Sequence, residues 1–271
     1  MSLLVVGDGA VATALARTLA AVGVDLARWS RRRPSQTPLP SVAVLAVSDP
    51  AITEVTHRLL GEGRLDRRSV VLHCAGGLAP EAAFPGLEEQ VAGRGLLHPL
   101  RAINGQEESL AGTVFAVAGD KVAVAEAKRL VGALGGLPLE LASASLPRYH
   151  AAAVLAGNHT LALVEAGLGL LGSLGLERAA AERALGGLLA SAAANVISRG
   201  LPAALTGSIA RGDVAAVRRH LEALAAPGLG EARTLYLATA RATVELAAAK
   251  GQARAEDLAA LRRLLAAVEV D

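Results

Sequence analysis

Histidines at three places in the sequence could donate a hydrogen bond or a proton to a substrate. His73 and His98 each end a short apolar run that is typical of a buried strand, and His150 and Asn158 lie in a longer apolar segment. An unperturbed imidazole titrates near pH 6.5, which suits proton transfer near neutral pH. We predict that His98, His150 and Asn158 are catalytic, with His73 and Tyr149 as alternative donors. The competing interpretation of each is a structural hydrogen bond.

An anion-binding turn follows the first apolar run, Leu3–Val6. The next residues have the pattern G-x-G-x-x-A, and residues 10–22 then have the period of a helix. Strand, glycine turn and helix in this order are typical of a dinucleotide-binding fingerprint, in which the glycines let a pyrophosphate approach the helix N-terminus. The predicted contacts from this turn are Gly7, Asp8, Gly9, Ala10 and Val11.

The segment after the second predicted strand, residues 24–29, is basic. The fingerprint usually places an acid here for the ribose of NAD, whereas this chain has Ser30, Arg31, Arg32 and Arg33. Guanidinium groups supply the charge and paired donors that a 2′-phosphate needs. We therefore predict that Ser30, Arg31 and Arg32 select NADP. A solvated basic loop is the alternative.

Residues at the ends of two further strands complete the predicted cofactor site, because ligands of open α/β sheets bind beyond the carboxyl ends of the strands. They are Val47, Ser48, Cys74 and Gly76. Cys74 is also explained as a small buried hydrophobe. Asp49 is predicted to cap the next helix, with Pro50 at its first position.

Strands and helices alternate as far as residue 143, and from residue 145 only helices are predicted. This pattern favours an α/β Rossmann domain with a doubly wound parallel sheet over residues 1–145, followed by an all-α domain for substrate binding and dimerisation over residues 146–271. The predicted helices of that domain are residues 147–174, 177–198, 213–224, 231–249 and 255–268.

Arg211 and Asp213 are the predicted substrate-binding residues of the helical domain. Arg211 could hold a substrate carboxylate through two parallel hydrogen bonds. The alternative is a purely structural role, in a salt bridge between domains. Asp213 precedes a helix and is also explained as its N-cap. On the first long helix, Asn158 and Glu165 are spaced to share one face, as in the wall of a cleft.

Composition narrows the function classes. The net charge is +2 and aromatic residues make up 2% of the chain, so a nucleic-acid partner is not expected. The one cysteine excludes an internal disulfide and, with no signal peptide expected, favours the cytoplasm.

The apolar residues 151–176 include a glutamate, which favours a helix buried between domains or subunits over a membrane span. Scattered histidines predict no metal site.

Four stretches resemble a known protein family. A Rossmann domain followed by helices is similar to the 6-phosphogluconate-dehydrogenase-like superfamily, which includes ketopantoate and pyrroline-5-carboxylate reductases. The closer resemblance is to bacterial Rossmann-like oxidoreductases with an uncharacterised helical C-terminal domain. The stretches that carry it are His73-Cys74-Ala75-Gly76, His98-Pro99-Leu100, Tyr149-His150 with Gly157-Asn158-His159, and Leu205-Thr206-Gly207-Ser208-Ile209-Ala210-Arg211-Gly212-Asp213. The superfamily implies NADP-dependent reduction of a small carbonyl or imine, usually in a homodimer.

One departure affects the mechanism that the resemblance implies. The β-hydroxyacid and ketopantoate enzymes carry a catalytic Lys on the helix after the sheet, with an Asn one turn later. Asn158 matches that Asn, but Val154 stands where the Lys would be, and it cannot donate a proton. The chain's lysines, Lys121, Lys128 and Lys250, lie elsewhere.

These patterns predict an NADPH-dependent reductase of a small, ketopantoate-like oxo acid that acts as a homodimer. The site is expected between the carboxyl edge of the sheet and the first long helix, with His98 and Asn158 on opposite walls. An imine reductase of the pyrroline-5-carboxylate type is the alternative among enzymes. An NADP-binding sensor or scaffold without turnover is the alternative from another class.

Overall fold

The computed structural model describes residues 2–32 and 39–268. It divides the chain into two compact units, Met1–Gly157 and Asn158–Asp271. The division lies after Gly157 rather than after residue 145, because the first helix beyond the sheet belongs to the sheet unit. Leu146, on that helix, is fully buried against Leu96 and Ala116 of the sheet.

The first unit contains a seven-stranded sheet. Its strands are β1 (Leu3–Val6), β2 (Leu26–Trp29), β3 (Val42–Leu45), β4 (Val70–His73), β5 (Gly93–Pro99), β6 (Val114–Gly119) and β7 (Leu137–Glu140). Their order is β2-β1-β3-β4-β5-β6-β7. The carboxyl ends of β1 to β5 therefore meet at one edge, since these strands are all parallel.

The sheet is mostly parallel, which confirms the predicted fold class, and it has one antiparallel pairing. β6 pairs with β5 in the antiparallel direction, and β7 is parallel to β6. Residues 100–113, which connect β5 to β6, contain no helix. A parallel neighbour would need a crossover connection, usually helical, so the chain instead turns back beside β5.

Helices cover both units. In the first they are α1 (Ala10–Ala21), α2 (Ile52–Gly61), α3 (Pro80–Ala83), α4 (Lys121–Ala133) and α5 (Leu146–Ala156). In the second they are α6 (Asn158–Ser173), α7 (Arg178–Arg199), α8 (Val214–Ala223), α9 (Gly230–Lys250) and α10 (Ala255–Ala266). The helix predicted over residues 147–174 is thus interrupted at Gly157. Asp49 does not cap a helix as predicted. It is the first residue of a 3-10 turn, and Ser48 occupies the N-cap position of that turn.

Apolar layers on both faces bury β1, β3 and β4, as the mostly apolar sequences of these strands predict. Leu3 and Val5 point to the face covered by α1 and α4, and Leu4 and Val6 point to the face covered by α2. Alternating side chains of one short strand therefore anchor helices on opposite sides of the sheet. This packing fixes where each strand ends and so positions the site.

The second unit has its core among α8, α9 and α10, where Val217, Val244 and Leu261 are fully buried. By contrast, α6 and α7 pack together but bury few side chains, and Leu161 and Leu188 are more than 60% exposed. One helical stretch of the described residues, Ser143–Ser173, has the length and composition of a membrane span. A single such stretch is a weak indication, because core helices share these properties.

Candidate active site

The glycine turn between β1 and α1 opens onto a cavity of about 420 Å³. Gly7 has φ of +128°, and a Cβ there would collide with the carbonyl oxygen of Ala46. A Cβ on Gly9 would meet none of the described atoms within 4 Å, so the backbone is open to a ligand here. The lining includes eight of the predicted cofactor residues: Gly7, Asp8, Gly9, Ala10, Val11, Val47, Ser48 and Cys74.

The basic segment after β2 lies outside that lining. Ser30 is buried, whereas Arg31 and Arg32 are exposed, and Arg33 falls outside the described residues. Arg31 Nη2 donates to Glu54 Oε2 on α2 at 2.9 Å. An acid therefore does stand near the end of β2, although it comes from another element. Nothing in the local sequence points to this pairing.

Arg28 is a further basic residue close to the glycine turn, and the sequence motif does not predict its role. It lies on β2, and its Nη2 donates to the carbonyl oxygen of Gly7 at 3.3 Å. This bond crosses from β2 to the glycine turn on the neighbouring β1. Arg28 therefore adds positive charge beside the glycine turn.

A cluster of aromatic polar side chains lies at the same sheet edge. His98 Nδ1 and the hydroxyl of Tyr149 are hydrogen-bonded at 2.8 Å. The ring of His150 stands edge-on to His98, with the centroids 5.7 Å apart. The structure therefore brings two of the predicted catalytic residues together in the first unit, with Tyr149 as the direct partner of His98.

Two elements position this cluster. β5 extends beyond β4, whose last residue, His73, pairs with Leu96, so His98 projects past the end of its neighbour. The buried Leu146 anchors the start of α5, and Tyr149 packs against the same apolar group one turn later. The Tyr149–His98 contact thus joins the strand end to the helix.

Gly76 connects the cavity to the cluster. A Cβ on Gly76 would lie 2.7 Å from Nδ1 of His150 and 2.8 Å from Nε2 of His98. Both rings therefore rest against the backbone of the segment that begins at Cys74, a residue of the cavity lining. A glycine is needed at position 76 because a side chain would collide with the two rings. Backbone conformation is not the reason, since the φ of Gly76 lies outside the left-handed region.

Burial keeps His98 and Tyr149 uncharged. It lowers the pKa of His98 to about 4, with a smaller effect from His150, and it raises the pKa of Tyr149 to about 12. The unperturbed imidazole pKa assumed from the sequence therefore does not apply to His98. At pH 7 the pair is a neutral imidazole and a neutral phenol, which can donate hydrogen bonds without carrying charge.

His73 has a structural role in this arrangement. Its side chain is fully buried, and Nδ1 accepts a hydrogen bond from the backbone N–H of Ala75 at 3.2 Å. Burial and His98 lower its pKa to about 4. The neutral ring therefore shapes the turn after β4. Burial likewise raises the pKa of the Cys74 thiol to about 12, which fits a small apolar residue and not a nucleophile.

The remaining predicted residues belong to the second unit. Asn158 is exposed at the start of α6, and Arg211 is exposed at the end of a 3-10 turn. Asp213 caps α8, since its Oδ1 accepts from the backbone N–H of Ala216 at 2.9 Å. Glu165 is held by Arg178 of α7 through two hydrogen bonds. That Asn158 faces His98 stays a prediction.

Comparisons with known proteins agree on the fold. Residues 113–243 match a family described as a domain of unknown function, DUF2520. The search of curated proteins gave no match. Among solved structures, the protein TM1727 of Thermotoga maritima is 24% identical, with a TM-score of 0.71, over 92% of this chain and 99% of its own.

Two other structures extend the comparison. A Bacteroides fragilis protein provisionally called an NADP oxidoreductase is 19% identical, with a TM-score of 0.68, over 89% of this chain and 97% of its own. Pyrroline carboxylate reductase of Plasmodium falciparum, solved with NADP bound, is 13% identical, with a TM-score of 0.54, over 98% and 99%. The chain has the Rossmann-like fold with a helical C-terminal region that these proteins share.

The described residues include no group of three or more histidine, cysteine, aspartate or glutamate side chains that could hold a metal ion. The first unit places a glycine turn that is open to a ligand beside the neutral side chains of His98 and Tyr149.

Proposed function

We propose that the protein is an NADPH-dependent reductase of a small oxo acid. The observation that carries the proposal is the single sheet edge shared by the glycine-turn cavity and the His98–Tyr149 pair. Cys74 lines the cavity and Gly76 touches His98, so only Ala75 separates the two. A dinucleotide whose pyrophosphate lies at Gly9 can extend along this edge toward the histidine.

The cofactor side of the site fits a phosphorylated dinucleotide. The free amides at the start of α1 favour the pyrophosphate, and the open space at Gly9 admits it. Arg31 and Arg32 are available for the 2′-phosphate, since the Arg31–Glu54 ion pair is exposed on both sides and such pairs contribute little. The NADP-bound reductase with a similar fold supports this choice.

The reacting side favours a carbonyl over a cationic imine. Bound NADPH supplies a hydride, and reduction of a carbonyl then develops negative charge on oxygen. His98, held by its hydrogen bond to Tyr149, is a neutral donor that would stabilise such an oxygen. The cluster of His98, Tyr149 and His150 contains no carboxylate that would stabilise a cation. A substrate carboxylate would bind Arg211, which is exposed.

A substrate screen tests the proposal. NADPH oxidation is followed with a set of 2-oxo acids and a matched set of cyclic imines. We expect turnover with an oxo acid, and we expect His98→Asn to lower that turnover by roughly 10² while NADPH affinity is unchanged. Turnover of imines alone would indicate the imine reductase. NADPH binding with no turnover would indicate the sensor or scaffold.

A further inference from the structure

We propose that Tyr149 fixes His98 as the tautomer that carries its proton on Nε2 and passes its own proton to Nδ1 when the substrate takes one. This inference rests on the proposed function for its catalytic half. The tautomer itself is a property of the free protein. Tyr149 acts through His98 and is therefore a positioning residue and proton source, whereas His98 contacts the substrate.

The hydrogen bond sets the tautomer. Nδ1 of His98 and the hydroxyl of Tyr149 are 2.8 Å apart, and the rings meet edge to face at 86°. A phenol is a better proton donor than a neutral imidazole, and an imidazole nitrogen is a better acceptor than a phenol oxygen. The phenol therefore donates to Nδ1, and the single proton of the neutral ring lies on Nε2.

The opposite edge of the ring faces the cofactor side. Nε2 lies against Gly76, on the segment that leads from the cavity lined by Cys74. The donor N–H is thus on the edge of His98 that lies against the segment leading from the cavity. A Nδ1 tautomer would leave only a lone pair there, and a lone pair cannot stabilise an oxyanion.

Proton transfer from a neutral imidazole requires this partner. If Nε2 lost its proton alone, the ring would become an imidazolate. In the proposed step the Nε2–H bond breaks as the O–H bond of the product forms, and Tyr149 gives its proton to Nδ1. Water then returns a proton to Tyr149, which is only partly buried, and the hydroxide that remains is released to solvent. The hydride comes from NADPH, so atoms and charge balance.

Burial, with a smaller effect from His150, keeps the imidazolium form of His98 scarce, and three titratable side chains face the ring. His73 faces it from β4, and Tyr149 and His150 face it from α5. Because burial lowers the pKa of His98 to about 4, few rings are protonated at pH 7. Without Tyr149, the charged form would be the remaining proton donor.

Nitrogen-15 NMR of the free protein tests the tautomer. The His98 signals are assigned by their loss in His98→Asn. We expect the wild-type ring to be protonated on Nε2 and the ring in Tyr149→Phe to change to a mixture of tautomers. A matched control is Tyr236→Phe, which removes a similar bond, 3.0 Å long, to His220 in the second unit. It should leave the His98 signals unchanged.

The pH profile tests the proton transfer with an oxo acid that the wild type turns over. We expect wild-type turnover to be flat between pH 6 and 8. In Tyr149→Phe, turnover should fall about tenfold for each unit by which the pH rises, because it then follows the fraction of His98 in the imidazolium form. A merely structural defect would instead lower turnover by the same factor at every pH. Unchanged NADPH affinity would show that the variant is folded.

Each result has a distinct meaning. A wild-type proton on Nδ1, an unchanged His98 spectrum in Tyr149→Phe, or a flat profile in that variant would overturn the inference. If the spectrum is as expected but none of the screened substrates leads to NADPH oxidation, the result would support the tautomer and contradict the proposed function.

Discussion

At the scale of single residues, we expect Arg31 and Arg32 to select the cofactor. Arg31 is bound to Glu54, but both side chains are more than half exposed. We expect NADPH to bind at least about tenfold more tightly than NADH, or ~1.4 kcal/mol, because a 2′-phosphate replaces the carboxylate as the partner of Arg31. The double variant Arg31→Ala/Arg32→Ala should lose this preference in a fluorescence titration.

Glu54→Gln is the matched control for the cofactor prediction. It frees Arg31 without removing positive charge, so NADPH affinity should stay equal or rise, by up to about fivefold for an exposed pair. Equal affinities of the wild type for NADPH and NADH would contradict the assignment of the basic segment.

The space at Gly76 gives a second prediction at the residue scale. In Gly76→Ala the new methyl group would lie 2.7 Å and 2.8 Å from ring nitrogens of His150 and His98, so both rings must move. We expect turnover to fall by about tenfold or more, since 1 Å of misplacement can cost 10²-fold. NADPH affinity, measured by titration, should change less than turnover.

The neighbouring glycine provides the comparison. A Cβ on Gly77 would lie 3.2 Å or more from His150 and would meet no atom of His98 among its nearest neighbours. Gly77→Ala should therefore reduce turnover less than Gly76→Ala does. Equal losses in the two variants would show that the position of His98 is not the cause.

At the scale of elements, Asp213 stabilises the start of α8. Its carboxylate accepts from the Ala216 amide, so Asp213→Ala should lower the free energy of unfolding by about 1 kcal/mol in urea titrations. Asp213→Asn retains a capping oxygen and should keep most of the stability. If both variants unfold like the wild type, the cap contributes nothing. A raised KM in Asp213→Asn at unchanged stability would instead support the predicted substrate role.

Local sequence patterns predict where the strands and helices lie, but they do not predict the direction of each strand in the sheet. Apolar runs and helical periods locate β1 through β7 within a few residues, because burial of each element dictates its pattern. The direction of β6 depends on the helix-free connection after β5, which has no periodic signature. Similarly, the break at Gly157 lies inside a long and mostly apolar segment, where one glycine does not by itself predict a helix end.

The same distinction applies to the site. The glycine turn is a local motif, and its five predicted residues line one cavity together with three predicted residues that follow β3 and β4. The His98–Tyr149 bond joins residues 51 positions apart, and Arg31 and Glu54 are 23 positions apart. Such pairs depend on sheet order and helix packing. The lowered pKa of His98 depends on burial, which the residue type alone does not reveal.

For the whole molecule, we propose a homodimer formed through α6 and α7. Leu161, Leu188 and Ile197 are 64%, 65% and 87% exposed, although monomers rarely expose large apolar patches. Light scattering at micromolar concentration should show a dimer, and Leu188→Glu/Ile197→Glu should shift it to the monomer. Val122→Glu, at a half-exposed position on α4, is the control and should not. A monomeric wild type would contradict the proposal.

The buried end of β2 gives the protein an internal optical reporter. Trp29 is the only tryptophan in the chain, it is 1% exposed, and it directly precedes the serine and arginines assigned to the cofactor. The Arg58 guanidinium lies 5.4 Å from the centre of its ring. Reduced nicotinamide absorbs light at the wavelengths where tryptophan emits, whereas the oxidised ring does not. Emission from Trp29 should therefore dim on addition of NADPH and persist with NADP⁺, so that the redox state of the bound dinucleotide can be read without any label.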